Sequence, residues 1–154
     1  MYKKIMVPLD GSKLAECAFP QVEAIASGCL SNMVVLVRVV EPRELPANLG
    51  TFINEKAWQK IESDRKAAAK EYLDRVSKEL KFKNLQLQTR VLVGKIAESL
   101  ADFTDKNEID LIIMATHGRS GVSRWVLGSV AEKILHSSCV PILLVRAPGC
   151  VPGI

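Results

Sequence analysis

Metal-ligand chemistry is scarce in this sequence. Its 154 residues include two histidines and four cysteines. Cys17, Cys29, Cys139 and Cys150 stand far apart, with no Cys-x-x-Cys pair and no histidine at a spacing that zinc would need. Cys17 and Cys139 lie among apolar neighbours and read as small buried residues, as expected for a reduced, cytoplasmic protein. No apolar run approaches the ~20 residues of a membrane helix. After Lys3 and Lys4 the apolar stretch is only Ile5-Met6-Val7 before Pro8 and Asp10, too short for a secretory signal. An excess of one charge is missing too. With 21 Lys+Arg against 17 Asp+Glu the net charge is +4, and the basic residues are dispersed. That argues against nucleic-acid or anionic-membrane partners.

The common catalytic signatures are also absent. There is no Walker A sequence, and no Gly-x-Gly-x-x-Gly follows the first β-rich run. Gly118-Arg119-Ser120-Gly121 is one residue short of a nucleophile elbow. Asp10, His117 and Ser120 contain the residue types of a hydrolytic trio, but their spacing gives no support for one.

What is present is an ordinary globular composition, 48% hydrophobic and 25% charged. The length suits one domain on a scale of ~100–200 residues per domain. Short β-rich runs alternate with helical patterns, which predicts a single doubly wound parallel α/β sheet of five strands flanked by four helices. The strands fall at residues 3–9, 33–40, 85–93, 110–115 and 140–145. The apolar strand at 110–115 is expected at the sheet's centre. Ser12 caps a first helix carrying Leu14, Ala18, Val22 and Ile25, with a kink at Pro20 and an exit at Gly28. A second helix over 52–80 turns Trp58, Ile61, Ala68, Tyr72, Val76 and Leu80 inward. The third, after Gly94, buries Ile96, Leu100 and Phe103. Ser129-Val130-Ala131-Glu132 reads as a capping box for the fourth, ahead of an apolar pair, Ile134 and Leu135. The expected domain is 1–147, with 148–154 as a loose tail.

Ligands of open α/β sheets bind beyond the carboxyl ends of the strands. Two such loops carry suitable groups. Pro8-Leu9-Asp10-Gly11-Ser12 places a carboxylate and a hydroxyl directly after the first strand. The stretch from Thr116 to Leu127 holds Gly118, Arg119, Gly121 and Arg124 and runs into Gly128-Ser129. Glycines let backbone N–H groups approach a phosphate, and a helix start favours an anion. The same features also have plain structural roles. Asp10-Gly11-Ser12 is equally a turn and cap, and Ser129 caps its helix with or without a ligand. His117 is a loop residue, His136 lies in a last helical turn, and Trp125 anchors its loop by packing.

Taken together, Ile5-Met6-Val7-Pro8-Leu9-Asp10-Gly11-Ser12, Asp110-Leu111-Ile112-Ile113-Met114 and Val140-Pro141-Ile142-Leu143-Leu144-Val145 resemble segments of universal stress proteins. So does Met114-Ala115-Thr116-His117-Gly118, followed after nine residues by Gly128-Ser129. The resemblance runs from Tyr2 to Arg146. It implies a five-stranded α/β fold, a homodimer paired through the last strand, and a site for ATP, with or without Mg²⁺. The matching positions are Asp10 and the backbone of Val39 toward adenine and Gly118, Gly128, Ser129 and Val130 toward ribose and phosphates, with Pro8, Leu9, Met114, Ala115 and Arg119 as further nucleotide-binding positions. One departure stands out. The family's first loop glycine is Ala115 here, and a methyl group narrows the backbone approach. A hydroxyl that follows the Gly-Ser pair in some binders is Ala131.

Three functions fit these residues. One is a nucleotide-binding stress-response protein acting through a conformational or partner change. Another is a ligand-free dimeric scaffold, which Ala115 would suit. The last is a slow nucleotide hydrolase, for which only His117 or Asp10 offers a base.

Overall fold

Lys4–Pro8 forms β1, with Ile5, Met6 and Val7 fully buried, because three consecutive apolar residues supply both faces of an inner strand. The computed structural model describes residues 1–43, 55–80, 82, 85–116 and 129–146. The chain continues through a 3₁₀ turn at Ala15–Ala18 and α1 at Phe19–Gly28 to β2 at Met33–Val40. There follow α2 at Glu55–Glu79, β3 at Gln86–Val93 and α3 at Ile96–Lys106. Next come β4 at Leu111–Ala115, α4 at Ser129–Ser137 and β5 at Ile142–Val145. All strand pairings are parallel, in the order β3-β2-β1-β4-β5. The expected class and element order are therefore observed.

Alternation along the strands divides the interior into two layers. Ile5, Val7, Val34 and Leu36 face one way and pack with Val22 of α1 and Leu73 of α2. Met6, Val35, Val37 and Ile112 face the other and pack with Leu100 of α3 and Ile134 of α4. The carboxylate of Asp110 accepts the backbone N–H groups of Lys3 (2.7 Å) and Lys4 (3.1 Å), fixing the start of β1 beside β4.

Several local expectations are corrected. The central strand is β1, not β4, although every residue of β4 is buried. An apolar run reports burial on both faces, and all inner strands share that property. Pro20 does not kink a helix interior. The chain makes its 3₁₀ turn first, and Pro20 then falls in the first turn of α1, where no intrahelical donor is needed. Ser12 consequently caps the 3₁₀ turn, its Oγ accepting from Ala15 N–H at 3.2 Å. On α2 the buried stripe is Ala69, Tyr72, Leu73 and Val76, while Ile61 and Ala68 are exposed. On α4 Ile134 is buried with Ala131, and Leu135 faces outward. Cys17 is half-buried and Cys139 exposed, so neither is a core residue.

Candidate functional site

In the order β3-β2-β1-β4-β5 successive strands are added outward in one direction up to β3 and in the other from β4 on. The order thus switches between β1 and β4 while all strands stay parallel. Strands splay at such a switch point, and helices that cross to opposite faces leave a crevice at the carboxyl ends. A cleft of about 580 Å³ lies there. That is within the ~300–1,000 Å³ of small-ligand sites.

Pro8 at the end of β1 and Leu9 and Asp10 just after it form part of its wall, β2 contributes Val39, and β4 contributes Met114 and Ala115. Val130 enters from the first turn of α4. Ser129 is the first residue of that helix. Seven of the residues singled out from the sequence thus line one cavity although they come from four separate segments. Gly118, Arg119 and Gly128 lie outside the described residues, as do His117, Ser120, Trp125 and the segment 148–154.

The turn after β1 is held by its own side chains. Asp10 Oδ1 accepts from Ser12 N–H at 2.9 Å and from Ser12 Oγ–H at 2.6 Å. Gly11 has φ +87°, a left-handed conformation that only glycine adopts cheaply. Leu9 N–H donates to Val37 O at 2.8 Å, so the strand is paired with β2 up to the edge of the turn. On the far wall Ala115 pairs in register with Val145 and is 8% exposed. Its methyl group is part of the cleft surface.

Sequence reasoning missed the charged rim. Arg38, Glu41, Arg43 and Arg65 also line the cleft. With Asp10 they make three cations against two carboxylates, a balance that favours an anionic ligand. Arg38 is the one charged residue in the apolar run Met33–Val40, and a lone cation in such a run is a usable signal. Its guanidinium carbon lies 5.1 Å from the centroid of the Tyr72 ring. The Tyr72 hydroxyl donates to Glu16 Oε1 at 3.2 Å. Burial first, then the neighbouring Glu16 carboxylate, pushes the Tyr72 phenol far above its ordinary value near 10.0. Glu41 joins three elements. Its carbonyl oxygen accepts from Arg65 of α2 at 2.9 Å, and its carboxylate receives the Ile96 N–H at the start of α3 at 3.4 Å.

Among the described residues no three His, Cys, Asp or Glu side chains group as a metal site, and no helix is long and apolar enough to cross a membrane.

A parallel sheet of this order with a ligand-sized cleft at its switch point defines an open-sheet, doubly wound α/β protein. The chain belongs to the universal stress protein family, whose model matches residues 1–146. It is 32% identical over 150 residues to universal stress protein MJ0531 of Methanocaldococcus jannaschii, covering 96% of this chain and 84% of that one. It is 30% identical over 156 residues to MJ0577 of the same organism, covering 95% and 96%. The solved structure of MJ0577 superposes with a TM-score of 0.81, covering 97% of this chain and 99% of that one at 28% identity. More distant structures share the fold. A family member from Arabidopsis thaliana, solved with AMP bound, has a TM-score of 0.65 at 12% identity and covers 96% and 93%. One from Archaeoglobus fulgidus, solved in complex with dAMP, has a TM-score of 0.58 at 18% identity and covers 93% and 97%.

Proposed function

We propose that this protein binds an adenine nucleotide, ATP in particular, in the switch-point cleft and acts as a nucleotide-dependent regulator in the stress response. The observation that carries the reading is the convergence of Pro8, Leu9, Asp10, Val39, Met114, Ala115 and Val130 on one cavity. Those are the positions at which the family's nucleotide-binding pattern falls. The AMP and dAMP complexes of the distant relatives support an adenine ligand. The terminal phosphates would be held by the glycine loop, through Gly118, Arg119, Gly128 and Ser129, with Mg²⁺ carried by the phosphates.

Turnover is absent or slow in this reading. The sequence has no Walker lysine, and Asp10 already accepts two hydrogen bonds from Ser12, which lowers its worth as a base. The output is then a change of shape or partner, in a cytoplasmic homodimer joined along β5. Ala115 gives the ligand-free scaffold its one specific argument, since its methyl group narrows the cleft wall.

Calorimetric titration with Mg-ATP, followed by chromatography of the recovered nucleotide, separates these readings. Submillimolar binding with intact ATP supports the regulator. No heat and no competition with a fluorescent ATP analogue would leave the scaffold. Turnover near ~1–10 s⁻¹, the range of true catalysts, would make the protein an enzyme.

A further inference from the structure

We infer that Arg38 is a positioning residue for this cleft, supporting the Asp10–Ser12 turn and tying it to α2 through the Tyr72 ring. The inference rests on the nucleotide reading above.

Arg38 is the one charged residue of β2, on the face where Val34 and Leu36 enter the core. A guanidinium there needs partners in place of water, and aromatic or peptide planes can serve among them. Two are present. The Tyr72 ring centroid is 5.1 Å from Cζ. A Cβ on Gly11 would lie 2.8 Å from Nη1, 2.9 Å from Cζ and 2.9 Å from Nη2. Near-equal distances to three atoms of one plane mean that the guanidinium lies flat against Gly11. The turn can rest on it because residue 11 has no side chain and adopts φ +87°.

The support continues into the helix layer. Tyr72 is 7% exposed and bonds Glu16, four residues beyond Ser12, and Arg75 lies 5.5 Å from the same ring. Glu16 is also paired with Lys13 at 2.7 Å. Both ends of the 10–16 segment are thus referred to Tyr72, the Asp10 turn to its ring through Arg38 and Glu16 to its hydroxyl. A lysine can supply the charge of Arg38 but not its plane. An arginine that acts through the Asp10 turn should matter equally for any ligand carrying adenosine. One that bound phosphate directly would matter only for ATP.

The test compares ATP and adenosine binding to the parent protein, Arg38→Met, Arg38→Lys, Tyr72→Phe and Tyr72→Leu, each checked for fold by circular dichroism. Arg38→Met should weaken both ligands at least tenfold and by similar factors. Arg38→Lys should weaken both at least threefold, which decides the matter if the methionine variant does not fold. Tyr72→Phe keeps the ring and should stay within threefold of the parent, whereas Tyr72→Leu should approach Arg38→Met. Arg38 variants that bind both ligands like the parent would overturn the role of Arg38 alone. Loss of ATP with adenosine binding retained would also overturn it, by making Arg38 a phosphate contact. A parent protein that binds neither ligand would instead overturn the nucleotide reading and this role with it.

Discussion

Arg65 of α2 is bonded to Glu41 at the end of β2. Its Nη1 donates to the Glu41 carbonyl oxygen at 2.9 Å and to Glu62 Oε1 at 2.8 Å. Both Arg65 and Glu41 line the cleft, so this contact sets where α2 stands relative to the strand ends. Arg65→Ala should lower stability by about 1 kcal/mol, the typical net worth of such a hydrogen bond. Arg65→Lys should recover part of that. Urea denaturation with an unchanged midpoint for Arg65→Ala would show the contact to be dispensable.

Tyr72 predicts a dependence on alkaline pH. Its phenol is held protonated in the native state above its ordinary value near 10.0, chiefly by burial and then by Glu16. Above that value the unfolded chain ionises this group while the native state does not. The unfolded state then binds fewer protons, so stability falls as pH rises. Below it the contribution is fully present. Tyr72→Phe should therefore be less stable than the parent near neutral pH, having lost the bond to Glu16, and should close that gap between about pH 9 and 11. A gap constant across that range would contradict the assignment.

The strands were legible in the sequence because buried parallel strands are continuous apolar runs, as in Ile5-Met6-Val7 and Leu111–Ala115. Helix phase was less so. Steps of four residues, as from Ala68 to Tyr72 and Val76, drift around a 3.6-residue helix, and the stripe that packs includes Ala69 and Leu73 instead. The cleft's apolar half was readable because it sits where strands end. Its charged half was not, since Arg38 and Arg43 come from β2 and its end and Arg65 from α2, two segments that only the tertiary fold brings together.

The end of α1 shows the same limit and yields a prediction. Gly28 is the last residue of α1, at the helix exit as expected, but it does not take the left-handed conformation common just past a helix. That conformation belongs instead to Leu30, with φ +51° and 74% exposure. Relief of its strain, less the added freedom of the unfolded chain, should make Leu30→Gly more stable by about 0.5–1 kcal/mol. A melting temperature equal to or below the parent's would contradict this.

β5 ends the sheet order, and Ile142, Leu143 and Leu144 are only half-buried. An edge of this kind, with Pro141 just before it, is suited to pair with a second copy. Light scattering at micromolar concentration should give about twice the chain mass of 16.9 kDa. A mass equal to one chain would contradict the proposed homodimer.

The central claim is tested most directly by Mg-ATP titration of the parent protein beside Gly118→Val and Ala115→Gly. A side chain at position 118 would occupy the space assigned to the phosphates, whereas residue 115 already carries a Cβ on the cleft wall. With every variant folded, Gly118→Val should bind more than tenfold more weakly, above about 1.4 kcal/mol. Ala115→Gly should change affinity by less than that, toward tighter binding. A folded Gly118→Val that binds ATP as tightly as the parent would reduce the glycine loop to a structural turn and contradict the assignment of the site.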